Sequence, residues 1–160
     1  MKSASREAED SYEVAEPDAR ILLVEDDEDE VRLIARLLDE APIKIEVLPF
    51  ENGKLALDYL EGTGTSEGVC PVMPDLILLD INMPVMDGTL FLARLRKHPE
   101  FRSLPVVVLT TTTDPDLVRR AYDFGANAVI NKVDSLDGMS QIASTIVDFW
   151  FRVARRYYID

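Results

Sequence analysis

Four short apolar runs dominate this sequence, and each is followed at once, or after one further residue, by a polar residue. The runs cover residues 21–24, 76–79, 106–109 and 128–130 and consist of leucine, isoleucine, valine and alanine. Continuous apolar runs of this length are typical of strands buried on both faces, as in a parallel sheet covered by helices. The polar residues that follow them are Glu25-Asp26, Asp80, Thr110 and Lys132.

These polar side chains are expected to meet, because the functional crevice of an open α/β sheet lies beyond the carboxyl ends of its strands. Three carboxylates brought together would repel one another and raise at least one pKa unless a cation lay among them. A hard divalent ion with oxygen ligands, such as Mg²⁺, fits that requirement. The lysine and the threonine add a point charge and a hydroxyl donor that suit a phosphoryl group.

Charge and composition exclude several other classes of function. The net charge of −13 opposes binding to nucleic acid and to anionic membrane surfaces, since both require a cationic face. The single cysteine, Cys70, excludes an intrachain disulfide and fits a reducing compartment. The sequence shows neither a signal peptide nor an apolar run of membrane-spanning length, so we expect a cytoplasmic protein without membrane or nucleic-acid contacts.

The remaining pattern predicts an acidic, disordered tail over residues 1–19 and one domain over residues 20–156. Five strands alternate with five helices, which predicts a doubly wound parallel sheet with helices on both faces. Residues 45–50 alternate in the manner of a further strand, and Pro49 makes that strand a candidate for an edge of the sheet because proline cannot donate to a ladder. The last helix is expected to be long, beginning near Leu136.

The order and spacing of the motifs resemble the response-regulator receiver family, the flavodoxin-like phosphoacceptor domains of two-component signalling. The resemblance covers about residues 20–151. The motifs that carry it are residues 21–26, 74–80, 83–88 and 104–110, Gly125-Ala126 and Lys132. The resemblance implies a domain that accepts a phosphoryl group from a histidine kinase and signals through a changed interaction surface. It also implies that the domain promotes its own phosphorylation and dephosphorylation without being an enzyme in the ordinary sense.

The resemblance also implies a Mg²⁺ site. Asp26 would be a direct ligand, Glu25 would act mainly through a metal-bound water, and Asn82 would offer its backbone carbonyl. The phosphoacceptor Asp80 would also be a metal ligand. Asp27 is a further acid beside the pair, and the sequence leaves open whether it joins the site.

The same resemblance makes Asp80 the phosphoacceptor, with Thr110 and Lys132 each contacting a phosphoryl oxygen. Two departures from the family pattern affect switching more than chemistry. Val129 stands where many receivers have an aromatic residue that moves with the threonine, and Val133 stands where a proline commonly follows the lysine in a cis peptide. The sequence does not settle the geometry of the loop after Lys132.

A narrower resemblance is to stand-alone receivers that serve bacterial phytochrome histidine kinases. It rests on the threonine run 110–112, the missing proline after Lys132, the Gly/Ser/Thr-rich loop 62–68 and the sequence Asp148-Phe149-Trp150. Such receivers carry no output domain. We therefore expect a homodimer through the face of the fourth helix, fifth strand and fifth helix, around Val118, Tyr122 and Phe149.

Two other functions remain as alternatives at this point. A Mg²⁺-dependent aspartyl phosphatase also combines aspartate, threonine and lysine, but such enzymes typically place a second aspartate two residues after the nucleophile, where this chain has Asn82. A pseudo-receiver that binds partners without phosphorylation is the second alternative. The complete set of acids, Thr110 and Lys132 argues against it.

Overall fold

The computed structural model describes residues 15–63, 70–83 and 86–156. Its centre is a sheet of five parallel strands in the order β2-β1-β3-β4-β5. The strands are β1 (Ala19–Val24), β2 (Ile45–Phe50), β3 (Leu76–Leu79), β4 (Val106–Thr110) and β5 (Ala128–Asn131). The helices are α1 (Glu28–Asp39), α2 (Gly53–Glu61), α3 (Gly88–Lys97), α4 (Pro115–Asp123) and α5 (Leu136–Val147). The predicted doubly wound fold is confirmed.

Parts of the sequence predictions fall on residues that the structure does not describe. They are most of the acidic tail (1–14), most of the Gly/Ser/Thr-rich loop (64–69), two residues of a receiver-like motif (84–85) and the last residues of the chain (157–160). β1 begins at Ala19, one residue before the predicted domain, and Asp18 accepts a hydrogen bond from the Lys44 N–H at 2.7 Å. The division at residue 20 otherwise stays a prediction.

The three central strands are buried on both faces, as their apolar runs predict. Alternate residues point to opposite sides of the sheet, so Leu22 and Ile77 pack beneath α2, α3 and α4, whereas Ile21 and Leu78 pack beneath α1 and α5. All four of these side chains are almost completely inaccessible to solvent. The two apolar layers hold the sheet rigid between its helices, and this rigidity is what positions the carboxyl ends of the strands.

The prediction for the edge strand is also confirmed. β2 lies at one end of the sheet and pairs only with β1 among the described strands, with Pro49 opposite Leu23. An edge strand tolerates proline because one side of its backbone has no ladder partner. None of the helices in the described ranges is long and apolar enough to cross a bilayer.

The last helix differs from the uniform α-helix that its apolar spacing predicts. α5 ends at Val147 and continues as a π-helical segment, Asp148–Val153, in which the Ala154 N–H donates to the Phe149 carbonyl at 2.7 Å. Because a π turn closes over five residues instead of four, side chains after Val147 no longer follow the α-helical stripe. Phe149 and Val153 are consequently exposed, while Trp150 still packs against the core.

Arg96, near the end of α3, links the loops that lead into β4 and β5, at the end of the sheet opposite the carboxyl ends of the strands. Its guanidinium donates to the backbone carbonyls of Arg102, Leu104 and Gly125 and to Oδ1 of Asn127, at 2.6 to 3.0 Å. Burial lowers the pKa of Arg96, and neutral oxygens satisfy its donors. Gly125 has a φ of +106°, and a Cβ there would lie 2.8 Å from the Arg96 side chain. Both the positive φ and the close approach of the Arg96 side chain therefore favour glycine at this turn.

We expect Arg96→Lys to lower the free energy of unfolding by about 2–4 kcal/mol, because an ammonium cannot reach all of these acceptors at once and leaves partly buried carbonyls unpaired. Urea titration followed by circular dichroism would measure the change. Arg94→Lys, an exposed position two residues earlier on the same helix, is the matched control and should change stability by about 0.5 kcal/mol or less. Equal effects of the two substitutions would contradict this role of Arg96.

Candidate functional site: an acidic cluster beside a buried lysine

The register of the sheet brings together the polar residues that end or follow its strands. They lie at the end of the sheet that the carboxyl ends of the strands form. Val24 pairs with Leu79, so that Glu25 and Asp80 extend from neighbouring strands at the same level. On the other side, Thr110 is the last residue of β4 and pairs with Asn131, directly before Lys132. The Lys132 N–H donates to the Thr110 carbonyl at 2.8 Å, which continues the ladder past the last paired residues.

Three carboxylates form a compact cluster at this edge. Glu25, Asp26 and Asp80 each offer an oxygen, and the three oxygens lie within 4.8 Å of one another. Glu25 is buried, Asp80 is half-buried and Asp26 is exposed, so the cluster opens towards solvent on the Asp26 side. The structure thus brings together three of the four predicted metal ligands.

Lys132 supplies the positive charge next to this cluster. Its ammonium donates to Oε2 of Glu25 at 2.8 Å and also forms an ion pair with Glu30, and the lysine side chain is only 8% exposed. Glu30 is not among the site residues predicted from the sequence. It lies in the first turn of α1 and does not follow a strand, which was the sequence signal that identified the other site residues.

Burial and charge shift the protonation of these groups. Burial raises the pKa of Glu25 to about 7, although its hydrogen bond and charge pairing with Lys132 act in the opposite direction. Burial likewise raises the pKa of Asp80, against the opposing effect of the Lys132 charge. Burial lowers the pKa of Lys132, but its hydrogen bonds with Glu25 and Glu30 outweigh this effect, and its pKa is raised overall. The lysine therefore stays charged while the acids compete for a limited positive charge.

The donor set fits a divalent metal ion. Three carboxylate oxygens within bonding reach of one point are hard ligands, and a second positive charge would lower the energy of ionising Glu25 and Asp80 together. Asn82 lies beside the cluster, and its backbone N–H donates to Oδ1 of Asp80 at 3.1 Å. This bond fixes the turn after β3 and the orientation of the Asp80 carboxylate.

Asp27, whose place in the metal site the sequence left open, caps a helix. Its side chain caps α1 and accepts hydrogen bonds from the N–H groups of Asp29 at 2.9 Å and Glu30 at 3.3 Å. Asp27 is also not part of the acidic cluster formed by Glu25, Asp26 and Asp80. The cap is favourable because it satisfies N–H groups that the first turn of a helix leaves without partners.

Thr110 and the loop after Lys132 lie at the same end of the sheet as the acidic cluster. Thr110 is buried, and its hydroxyl oxygen accepts a hydrogen bond from the Thr112 N–H at 3.2 Å. The described residues contain no cis peptide bond, so the Lys132–Val133 bond is trans. Val129, in the place of the family's usual aromatic residue, donates its N–H to the hydroxyl of Tyr122 at 3.0 Å.

Gly88 lets α3 approach the site closely. A Cβ at this position would lie 2.7 Å from the Cα of Ile81 and 3.0 Å from the Asp80 carbonyl oxygen. Asp87 caps the helix immediately before it, accepting a hydrogen bond from the Leu90 N–H at 3.0 Å. Gly88, the first residue of α3, therefore packs directly against the backbone of the candidate phosphoacceptor.

A parallel five-stranded sheet with an acidic cluster and a lysine at the carboxyl ends of its strands is the arrangement expected of a receiver domain, and comparisons with known proteins agree with it. The family model for the response regulator receiver domain matches residues 21–143. Response regulator Rcp1 from Synechocystis sp. is 34% identical over 134 residues, which are 84% of this chain and 90% of that protein. This chain belongs to the response regulator receiver family.

Solved structures show the same relationship. The phosphorylated cyanobacterial phytochrome response regulator RcpA superimposes with a TM-score of 0.81 at 35% identity, covering 88% of this chain and 99% of that one. The Mn²⁺-bound form of response regulator Rcp1 superimposes with a TM-score of 0.80 at 32% identity, with the same coverage. The first of these relatives is phosphorylated and the second holds a divalent metal ion.

We expect Asp26→Asn to weaken binding of a divalent ion by about tenfold or more, because a carboxylate ligand of the cluster becomes a neutral amide. Isothermal calorimetry with Mg²⁺ would measure the loss. Asp27→Asn is the matched control: it removes the same charge one residue away and keeps a side chain that caps helices well. Comparable losses in the two variants would contradict the assignment of Asp26, and not Asp27, as the direct ligand.

Proposed function

We propose that this receiver accepts a phosphoryl group from a histidine kinase on Asp80, in a two-component phosphorelay, and signals through a changed interaction surface. The observation that supports this most directly is the acidic cluster of Glu25, Asp26 and Asp80 with Lys132 ion-paired at its border. An anionic nucleophile can approach an anionic phosphoryl group only where positive charge offsets their repulsion.

In the proposed transfer, an oxygen of Asp80 forms a bond to phosphorus while the phosphorus–nitrogen bond of the kinase phosphohistidine breaks and its electrons return to the imidazole. Lys132 offsets charge on one phosphoryl oxygen, and the Thr110 hydroxyl donates to another. The Asn82 N–H holds the nucleophile in place. Release of the phosphoryl group is hydrolysis, in which water attacks phosphorus and the Asp80 carboxylate leaves.

We assign Mg²⁺ as the ion at the acidic cluster. Asp26 and Asp80 would hold it directly through carboxylate oxygens, Glu25 would act mainly through a metal-bound water, and the backbone carbonyl of Asn82 would be a further ligand. Mg²⁺ prefers oxygen ligands and is commonly shared between one or two carboxylates and a phosphate. The ion would supply charge neutralisation to the phosphoryl oxygens. A Mn²⁺-bound relative supports the choice of a divalent ion.

The two alternative functions are not favoured. Asn82 is an amide and cannot act as the second acid of an aspartyl phosphatase. A binding module that never becomes phosphorylated would have no need to keep Lys132 buried among carboxylates, an arrangement that costs desolvation energy.

The partner that we propose is a histidine kinase of the phytochrome type. The support is the likeness to the phytochrome response regulator RcpA, at 35% identity over nearly its whole length. We place the receiver domain at residues 20–156 and the protein in the cytoplasm, where the exposed Cys70 thiol would remain reduced.

We also propose a homodimer through the face of α4, β5 and α5. Large apolar side chains are exposed there: Tyr122 at 49%, Val133 at 43% and Leu136 at 53%. Ile130, Val133 and Ile142 line a shallow groove next to this face. Phe149 is 51% exposed in the π-helical segment, where it packs edge-on against Trp150. Symmetric pairing would bury this apolar surface.

We expect Asp80→Asn to abolish phosphorylation by acetyl phosphate in the presence of Mg²⁺ while leaving the fold intact, because the nucleophile is lost with little change in shape. Intact-protein mass spectrometry would detect the phosphoryl group. Asp123→Asn, an exposed position on α4, should be labelled like the wild type. Mg²⁺-dependent labelling of Asp80→Asn at the wild-type rate would identify another acceptor.

The dimer interface is tested by introducing a charge into it. We expect Leu136→Glu to weaken self-association by about tenfold or more, because a carboxylate would be desolvated at the contact. Sedimentation velocity over a dilution series, with and without a phosphoryl mimic, would measure it. Leu55→Glu, an exposed leucine on α2 on the other side of the molecule, is the control. A wild-type protein that stays monomeric at tens of micromolar in both states would refute the dimer.

A further inference from the structure

Glu30 differs from the other acids that surround the start of α1. Glu28 and Asp29 are highly exposed and pair with Arg32 on their own helix. Glu30, in contrast, turns its carboxylate inward to the ammonium of Lys132, and its side chain is 35% exposed. The contact joins residues 102 positions apart in the sequence, so it links the start of α1 directly to the end of β5.

This contact determines how the charge of Lys132 is shared. An ammonium has three N–H donors, and two carboxylates, those of Glu25 and Glu30, already accept from it. Glu25 belongs to the acidic cluster, where a divalent ion would draw its oxygens away from the lysine. Glu30 lies outside that cluster. With a metal bound, Glu30 is therefore the carboxylate that continues to hold Lys132.

A phosphoryl group on Asp80 would compete for the same ammonium. Lys132 bonds to the Glu25 carboxylate, which has an oxygen within 4.8 Å of one of Asp80, so oxygens added to Asp80 approach a lysine that Glu30 already restrains. The Glu30 carboxylate also places a negative charge near the incoming dianion. Both effects favour the unphosphorylated state over the phosphorylated one.

We propose that Glu30 is a positioning residue that holds Lys132 in the resting site and competes with the phosphoryl group for it. This inference rests on the proposed function, since it concerns the state of Asp80 after transfer. It predicts that the balance between the resting and phosphorylated states is set partly from α1, by a residue that touches neither metal nor phosphoryl group.

The test measures binding of beryllium fluoride, a phosphoryl mimic, at saturating Mg²⁺. Glu30→Gln keeps the shape of the side chain but removes its charge, so we expect it to bind the mimic about five- to tenfold more tightly than the wild type. The matched control is Asp29→Asn, which removes the same charge from the preceding residue, where the side chain pairs with Arg32 instead. The control should stay within about twofold of the wild type.

The outcomes separate this inference from the proposed function. If the wild type binds the mimic and Glu30→Gln changes its affinity no more than Asp29→Asn, the role of Glu30 is refuted and the phosphoacceptor function stands. If the wild type does not bind the mimic at all, the proposed function fails and this inference fails with it.

A second measurement tests the contact without any phosphoryl chemistry. Urea unfolding of the metal-free wild type, Glu30→Gln, Lys132→Met and the double variant forms a double-mutant cycle. Because the two side chains share an ion pair, we expect the effects of the single substitutions on stability not to add in the double variant. Additive effects would refute the Glu30–Lys132 contact, and a positioning role for Glu30 with it.

Discussion

The parallel pairing of the central strands is the constraint on which the whole site depends. Glu25 and Lys132 are 107 residues apart in the sequence, yet their side chains meet because both follow strands that end at the same edge of one sheet. The pairing of Val24 with Leu79 sets Glu25 beside Asp80. A slip of one residue in that pairing would turn every side chain of the strand to the opposite face and dismantle the cluster.

The site is short of positive charge, and this shortage explains its chemistry. Among the described residues, Lys132 pairs with Glu25 and Glu30 beside the carboxylates of Asp26 and Asp80, and desolvation raises the pKa of both Glu25 and Asp80. Such an arrangement costs stability in a folded protein unless a cation binds to it. The affinity for a divalent ion and the reactivity towards a phosphoryl group that we propose would both follow from this imbalance, which the sheet maintains.

The strand ends could be predicted from sequence because the apolar runs are too short for buried helices, are rich in leucine and β-branched residues, and lead to polar residues, as buried parallel strands do. The edge position of β2 followed in the same way from Pro49. Glu30 could not be predicted, since it is one acid among several on α1 and its importance depends on which way its side chain turns. Arg96 left no signal either, because its partners are mostly backbone carbonyls. The π-helical segment after Val147 departs from the spacing that predicted a uniform helix.

The hydrogen bond from Val129 to Tyr122 has a consequence for how copies of this protein can meet. β5 is an edge strand, and the hydroxyl of Tyr122 occupies the backbone N–H of Val129. An edge strand whose central N–H is already satisfied is a poor template for an added strand from another chain. Tyr122 thereby disfavours pairing of β5 with a strand from another chain. Any association of two copies through this face would therefore depend on contacts between side chains.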